Sequence, residues 1–223
     1  MTKVHPRNMV FHRMAEISRA LGNPHRLVLL QLVSQGERSV ERLAELTGLS
    51  IANTSQHLQS LKRNALVVGQ RKGKHVHYRL ASDQILSVLQ SLSVLAEQSS
   101  ATLREVLSDY FRNLDALEPV SRDELQMRLQ DGAVTVLDAR PEDEYALGHL
   151  PGALSVPDET IEAILAKLPR DQEIVAYCRG TYCVSSFRLV AKLRAMGYNI
   201  RRLEEGFAEW QAAGFDVERH ATS

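Results

Sequence analysis

The stretch from residue 174 to residue 196 constrains the fold more than any other part of the chain. An apolar, strand-like run, Ile174-Val-Ala-Tyr177, leads directly into Cys178 and a short loop that holds Gly180. From Val184 to Met196 a helix-like run follows. Strand, tight loop and helix together form the repeating unit of parallel sheets. The same stretch holds both cysteines of the chain, Cys178 and Cys183. A cysteine at a strand-to-helix turn sits near loop amides and the positive end of a helix, and both favour the thiolate.

The surrounding pattern extends this alternation. Ser121 can cap a helix to about residue 130, and residues 133–138 read as a strand. A helix is expected over 161–168, a strand over 173–177, a helix over 184–196, a strand over 200–203 and a helix over 207–213. Such alternation predicts an α/β domain with a parallel sheet. The first half differs. Helices are expected over 9–21 and 24–33, the second opening on Pro24, a favoured first helical residue. Ser39 caps a helix over 40–46, Thr47-Gly48-Leu49 turns the chain, and Ser50 caps a helix over 51–64. Helix, short glycine turn, helix is the helix-turn-helix pattern. Residues 66–70 and 76–80 then flank Arg71-Lys72-Gly73-Lys74 as a β-hairpin with a basic tip. Residues 83–114 read as one or two long apolar helices that need a partner surface, on this chain or on a second copy. The expected fold is therefore two domains, a mainly α domain over 1–114 and an α/β domain over 115–223. The linker falls at 114–119.

Charge divides the chain in the same place. The 223 residues carry 27 Lys and Arg and 27 Asp and Glu. Residues 1–114 hold 15 cations against 8 anions, a net +7, and the remainder holds 12 against 19, a net −7. A basic half suits nucleic acid and an acidic half does not. No apolar run approaches the roughly 20 residues of a membrane span. The polar N-terminal segment does not read as a signal peptide, and two cysteines are too few for a disulfide framework. A cytoplasmic protein without a membrane partner is expected.

Within 51–65, Ile51, Leu58, Leu61 and Ala65 share one face. The remaining face offers Asn53, Thr54, Gln56, Gln59, Lys62 and Arg63, with Ser50, Ser55 and His57 beside them. Amides can read adenine edges, and hydroxyls and cations can meet phosphates. A merely solvated helix face would look similar. The basic hairpin tip, with Arg71, Lys72 and Lys74, shifts the reading toward phosphate contact.

At these residues the chain resembles the winged-helix repressors of the ArsR/SmtB family. The matching segments are Leu21-Gly-Asn-Pro-His-Arg-Leu27, Val40-Glu-Arg-Leu-Ala-Glu-Leu46, Ser55-Gln-His-Leu58 with Leu61, and the wing from Gly69 to Leu80. The resemblance covers about residues 9–110. It implies a homodimer, joined through the first helix and residues 83–114, on a double-stranded operator of two-fold symmetry. Many members bind metals through cysteines before the recognition helix or through Asp/His sets on the last helix. Residues 37–46 hold no cysteine and residues 83–114 no histidine, so neither metal site is expected here, nor any cofactor. His75 and His77 share a strand face, but two histidines alone make a weak metal signal.

The second half resembles the rhodanese domain, a sulfurtransferase fold, over about residues 117–219. The resemblance rests on Val136-Leu-Asp-Ala-Arg140 with Glu144-Tyr145 and Gly148-His-Leu-Pro-Gly-Ala153, on Tyr177-Cys178 with its loop, and on Leu203-Glu-Glu-Gly-Phe-Ala-Glu-Trp210 followed by Gly214. It implies that Cys178 is a nucleophile and persulfide carrier, cradled by the amides of Arg179, Gly180, Thr181 and Tyr182. Asp138, Arg140 and His149 resemble active-site residues, although such positions in this family mostly hold strands and turns together. Rhodanese loops usually place an arginine where this chain has Cys183, and the related phosphatase loop needs one where this chain has Val184. Cys183 then has two readings: packing at the first turn of a helix, or a resolving thiol for modified Cys178. The expected function is a DNA-binding regulator of repressor type that senses a small sulfur species or another oxidant through Cys178. The rival is a sulfurtransferase whose winged helix is accessory.

Overall fold

A computed structural model describes residues 6–112, 118–157, 161–165 and 168–219, apart from the side chains of 112, 162 and 163. The chain divides into two compact units, Met1–Leu89 and Gln90–Ser223.

The first unit opens with α1 (Pro6–Leu21) and α2 (Pro24–Ser34). Asn23 caps α2 by accepting from the Arg26 amide, and Pro24 starts it as its sequence predicts. β1 (Arg38–Ser39) precedes α3 (Val40–Thr47), which Ser39 caps and Gly48 ends in the left-handed region at φ 69°. α4 (Ile51–Arg63) follows under the Ser50 cap. β2 (Val67–Lys72) and β3 (His75–Leu80) form the hairpin, turning at Gly73-Lys74. β1 pairs with β3 as well, a two-residue strand too short to be legible in the sequence. Among the described residues this gives a three-stranded antiparallel sheet of order β1-β3-β2. Leu29, Leu30, Leu43, Leu58, Leu61 and Tyr78 are among the unit's fully buried side chains. A Cβ at residue 69 would lie 2.8 Å from the Tyr78 ring, so glycine there lets the ring lie flat on β2.

α5 (Gln84–Ser99) begins in this unit, where Ile85 and Leu86 are buried. Its later residues belong to the second unit, together with α6 (Ala101–Arg112). The expected boundary at 114/115 therefore differs from the division at 89/90. The physical reason is that Glu97 and Phe111 contact Tyr182 and Phe187. Most of the predicted linker, residues 114–117, lies outside the described residues.

In the second unit α7 (Arg122–Gln130), capped by Ser121, precedes β4 (Val134–Asp138). α8 (Glu142–Leu147), β5 (Leu154–Ser155) and α9 (Ile161–Ile164) follow. The sequence reading had no α8 or β5, and residues 166–167 of its expected helix are not described. β6 (Glu173–Tyr177), α10 (Val184–Ala195), β7 (Ile200–Arg202) and α11 (Phe207–Ala212) complete the order. Among the described residues the sheet is parallel and four-stranded, of order β5-β4-β6-β7. Side chains alternate across β6, and both faces are covered. Ile174, Ala176 and Cys178 join the core with Leu189, Val190 and Leu193 of α10. Val175 and Tyr177 join the core with Leu125, Phe207 and Trp210. Burial on both faces explains why β6 reads as a continuous apolar run rather than as an alternating one.

Candidate functional site

Two surfaces carry the residues singled out by sequence. On the first unit, α4 buries Thr54, Leu58 and Leu61, a stripe at helical i, i+4, i+7 spacing. This corrects two expectations. Ile51 and Ala65 are exposed rather than core-facing. Thr54, expected to face DNA, is buried, and its hydroxyl donates to the Ser50 carbonyl at 3.0 Å. A threonine that satisfies its hydroxyl within its own helix can occupy an apolar stripe, which residue type alone does not reveal.

Asn53, Gln56, Lys62 and Arg63 are exposed on α4, and Ser50 is exposed at its cap. Ser55 and His57 are half-buried. His57 lies 5.7 Å from the His25 ring. Burial, then the charges of His25 and Arg26, hold its imidazole below the usual histidine range. Gln59 donates to the Tyr78 hydroxyl at 3.1 Å, fixing α4 against the wing strand β3. In the wing, Arg71 donates to the Gly73 carbonyl at 3.2 Å. The Lys72 ammonium sits 2.7 Å from Glu37, and the His75 ring 3.2 Å from Glu41. Lys74 occupies the turn beside Gly73.

On the second unit, Cys178 leaves β6 at the edge of the core and is 2% exposed. Cys183 is the N-cap residue of α10. The two are joined by a disulfide, with Cα atoms 6.1 Å apart. The loop between them is fastened at several points. Cys183 donates its amide to the Gly180 carbonyl, and the Cys178 carbonyl accepts from the Phe207 amide, each at 3.1 Å. Thr181 donates its hydroxyl to the Glu204 carbonyl at 3.2 Å. Gly206 lies against the loop backbone so closely that a Cβ there would be 2.3 Å from the Arg179 carbonyl carbon and 2.4 Å from the Gly180 nitrogen.

The Arg179 guanidinium is held by a carboxylate from outside the loop. It forms a forked pair with the fully buried Glu144 of α8, at 2.7–3.0 Å. Glu144 belongs to the Glu144-Tyr145 segment of the rhodanese resemblance, but spacing does not reveal its partner, because 35 residues separate them. Tyr182 extends from the loop to donate to Glu97 of α5 at 2.7 Å. Arg188 is exposed on α10. From α11, Glu209 approaches the loop, accepts from the Gly206 amide at 3.1 Å, and is held above the usual carboxylate range chiefly by burial.

Asp138 and Arg140, both fully buried, form a network of their own. Arg140 donates to Asp138 at 2.6 Å and to the Gly148 carbonyl at 2.6 Å, and Tyr177 donates to Asp138 at 2.5 Å. The Arg140 guanidinium also lies 4.0 Å from the Phe207 ring centroid. Burial pushes the Tyr177 phenol well above its ordinary value, and Asp138 adds to the shift. His149 stacks on Tyr145 at 3.8 Å and meets its carbonyl through Nδ1 at 3.0 Å. These contacts tie β4, β6 and the turn after α8 together.

A winged helix-turn-helix followed by a parallel α/β unit with a cysteine loop defines the class. Residues 21–70 match the helix-turn-helix domain model, and residues 121–213 match the rhodanese-like domain model. The chain is 37% identical to the HTH-type transcriptional regulator Rv0324 of Mycobacterium tuberculosis, over 94% of this chain and 92% of that protein. It is 30% identical to a sulfurtransferase of Allochromatium vinosum, over 44% of this chain and 92% of that one. A solved homodimeric winged helix-turn-helix DNA-binding domain from Mycobacterium bovis is 32% identical, covers 44% of this chain and 91% of its own, and superposes with a TM-score of 0.41. The chain belongs to the ArsR/SmtB-type helix-turn-helix transcriptional regulators fused to a rhodanese-like domain.

Proposed function

We propose that this regulator is a cytoplasmic homodimer that binds a double-stranded operator, and that thiol chemistry at Cys178 and Cys183 lowers its affinity for that operator. The observation that carries this reading is the Cys178–Cys183 bridge, placed where a catalytic rhodanese loop would have a cation. A second thiol within bonding distance suits a two-state switch better than binding of an anionic sulfur donor. DNA contact falls to Asn53, Gln56, Lys62 and Arg63 on α4, with Arg71, Lys72 and Lys74 in the wing. Dimerisation falls to α1, whose Met9, Val10, Phe11 and Met14 are more than half exposed, and to the apolar face of α5 and α6.

The chemistry uses an inorganic polysulfide as the oxidant. The Cys178 thiolate attacks a terminal sulfane sulfur, and the S–S bond breaks with its electron pair leaving on the shortened polysulfide. Cys178 then carries a persulfide. The Cys183 thiolate attacks the inner sulfur, and the outer sulfur leaves as sulfide. Two thiols are oxidised by two electrons to one disulfide, and one sulfane sulfur is reduced to sulfide.

The test is operator affinity of the dithiothreitol-reduced protein, freed of reductant, before and after polysulfide treatment, with intact mass recorded in parallel. Wild type should weaken about tenfold or more and lose about 2 Da. Cys183→Ser should gain about 32 Da without forming the bridge, and Cys178→Ser should neither change mass nor release DNA. A Cys178→Ser variant that releases DNA as wild type does would sink the mechanism. The second reading is sulfurtransferase turnover, favoured by the identity with the Allochromatium vinosum protein. Sustained thiosulfate or persulfide turnover that is lost in Cys178→Ser would establish it.

A further inference from the structure

α5 contains one charged residue in 16, Glu97, in a helix otherwise made of apolar side chains, glutamine and serine. Its Oε2 accepts the Tyr182 hydroxyl at 2.7 Å. Tyr182 directly precedes Cys183, so a single peptide link separates this phenol from the disulfide. A second contact runs beside the first. The ring of Phe111 of α6 lies tilted, 4.3 Å from that of Phe187 of α10 and 6.2 Å from that of Tyr182. Phe187 in turn carries the Arg202 guanidinium of β7, 4.3 Å from its centroid. The cysteine loop, α10 and the α5/α6 pair are thus joined by named side chains.

Of the two contacts, Phe111 meets the buried Phe187, whereas the Tyr182–Glu97 hydrogen bond lies at the surface. Tyr182 is 39% exposed, and Glu97 makes the hydrogen bond at the surface. The phenol is nonetheless held well above its ordinary value, up to about 12, first by burial and then by donation to Glu97. The phenol is a protonated donor at neutral pH, and the rise extends that state into the alkaline range. The other loop residues turn elsewhere: Arg179 is paired with Glu144, and Thr181 with the Glu204 carbonyl.

Resting on the thiol-switch reading above, we propose that Tyr182 is a positioning residue that transmits the state of the Cys178–Cys183 bridge to α5 through Glu97. With the bridge closed, Cys183 is held to Cys178, and the preceding residue is set to place its hydroxyl on Glu97. A low-molecular-weight dithiol opens the bridge: the dithiol becomes a cyclic disulfide, two protons pass to Cys178 and Cys183, and two electrons pass with them. The loop from 179 to 183 then loses its covalent closure, and Tyr182 its fixed position. α5 is one continuous helix whose first residues, Ile85 and Leu86, are buried in the DNA-binding unit. A change in its anchoring is therefore a change that unit can experience.

The experiment is amide hydrogen exchange on the full chain, bridged and dithiothreitol-reduced, read over peptides covering 90–112. In wild type, amides near Glu97 should exchange about threefold or more slowly in the bridged form. Tyr182→Phe and Glu97→Ala should each remove most of that difference, while still losing about 2 Da on oxidation. The double variant should behave like either single variant, because both remove the same interaction. A Tyr182→Phe protein with the full wild-type difference would overturn the proposal, as would a wild type with none. Operator affinity of the same samples separates the two readings. If exchange depends on Tyr182 but affinity ignores the bridge, the coupling stands and the regulatory function falls. If affinity follows the bridge equally in wild type and Tyr182→Phe, the switch stands and this route is overturned.

Discussion

The two units expose their functional groups in opposite ways. On the winged-helix unit, Asn53, Gln56, Lys62 and Arg63 stand in solvent on a helix whose buried stripe is only Thr54, Leu58 and Leu61. On the rhodanese-like unit, Cys178 is 2% exposed and belongs to the hydrophobic core, while its loop rests on Gly206 and on the Arg179–Glu144 pair. A surface site tolerates replacement of one side chain, because the scaffold beneath does not depend on it. A site built into a core shares its atoms with the fold, so changes near Cys178 act on stability and chemistry together.

The sharpest test of that contrast is Gly206→Ala. The added methyl meets backbone atoms at 2.3–2.5 Å, which cannot move aside as a side-chain end can. Urea unfolding of the second unit should show a loss of about 2–4 kcal/mol, whereas Asn53→Ala should leave unfolding nearly unchanged. Next is Glu144→Gln, which keeps the shape but removes the charge facing Arg179. A loss of about 1–3 kcal/mol in the same measurement is expected, reduced from that of a closed pair because Arg179 is 27% exposed. Equal effects of Gly206→Ala and Asn53→Ala on unfolding would break the comparison.

On the open unit, Lys74→Ala should weaken operator binding without altering the unfolding curve, and should lower the slope of log affinity against log salt by about 1. An unchanged slope would remove Lys74 from the phosphate contacts. A smaller effect concerns alkaline pH. The Tyr182 phenol is raised from 10 to about 12, so its contribution to stability is complete below about pH 10 and is lost as pH climbs through about 12. Tyr182→Phe should flatten the stability profile in that window, read by unfolding midpoints at stepped pH. Smallest of all is Thr54→Val, which preserves the buried volume: a stability change within about 1 kcal/mol and operator affinity equal to wild type. A tenfold loss of affinity would show that Thr54 reaches DNA despite its burial.

Much of this was legible in the chain. Pro24 and the caps Ser39, Ser50 and Ser121 are local signals, and α2, α3, α4 and α7 begin at or beside them. The run 173–177 matched β6, because a strand buried on both faces announces itself by composition alone. Short elements escaped for the converse reason. β1 and β5 are two residues each and are defined by partners far along the chain, Tyr78 and His77 for one and Leu137 and Asp138 for the other. The stripe on α4 was misplaced because Thr54 looks polar until its hydroxyl is seen to bond to Ser50.

The sequence by itself determined a basic helical half, an acidic α/β half, a helix-turn-helix with a cationic wing, and a cysteine at a strand-to-helix turn. Each of these is a matter of residue type and short-range spacing, which backbone geometry converts directly into local structure. Only the tertiary structure decided that Cys183 lies within bonding distance of Cys178, that the Arg179 charge is turned to Glu144, and that Tyr182 reaches Glu97. The last two pair residues 35 and 85 positions apart. Contacts across such separations are set by how the helices and sheet pack, and no local pattern encodes that distance.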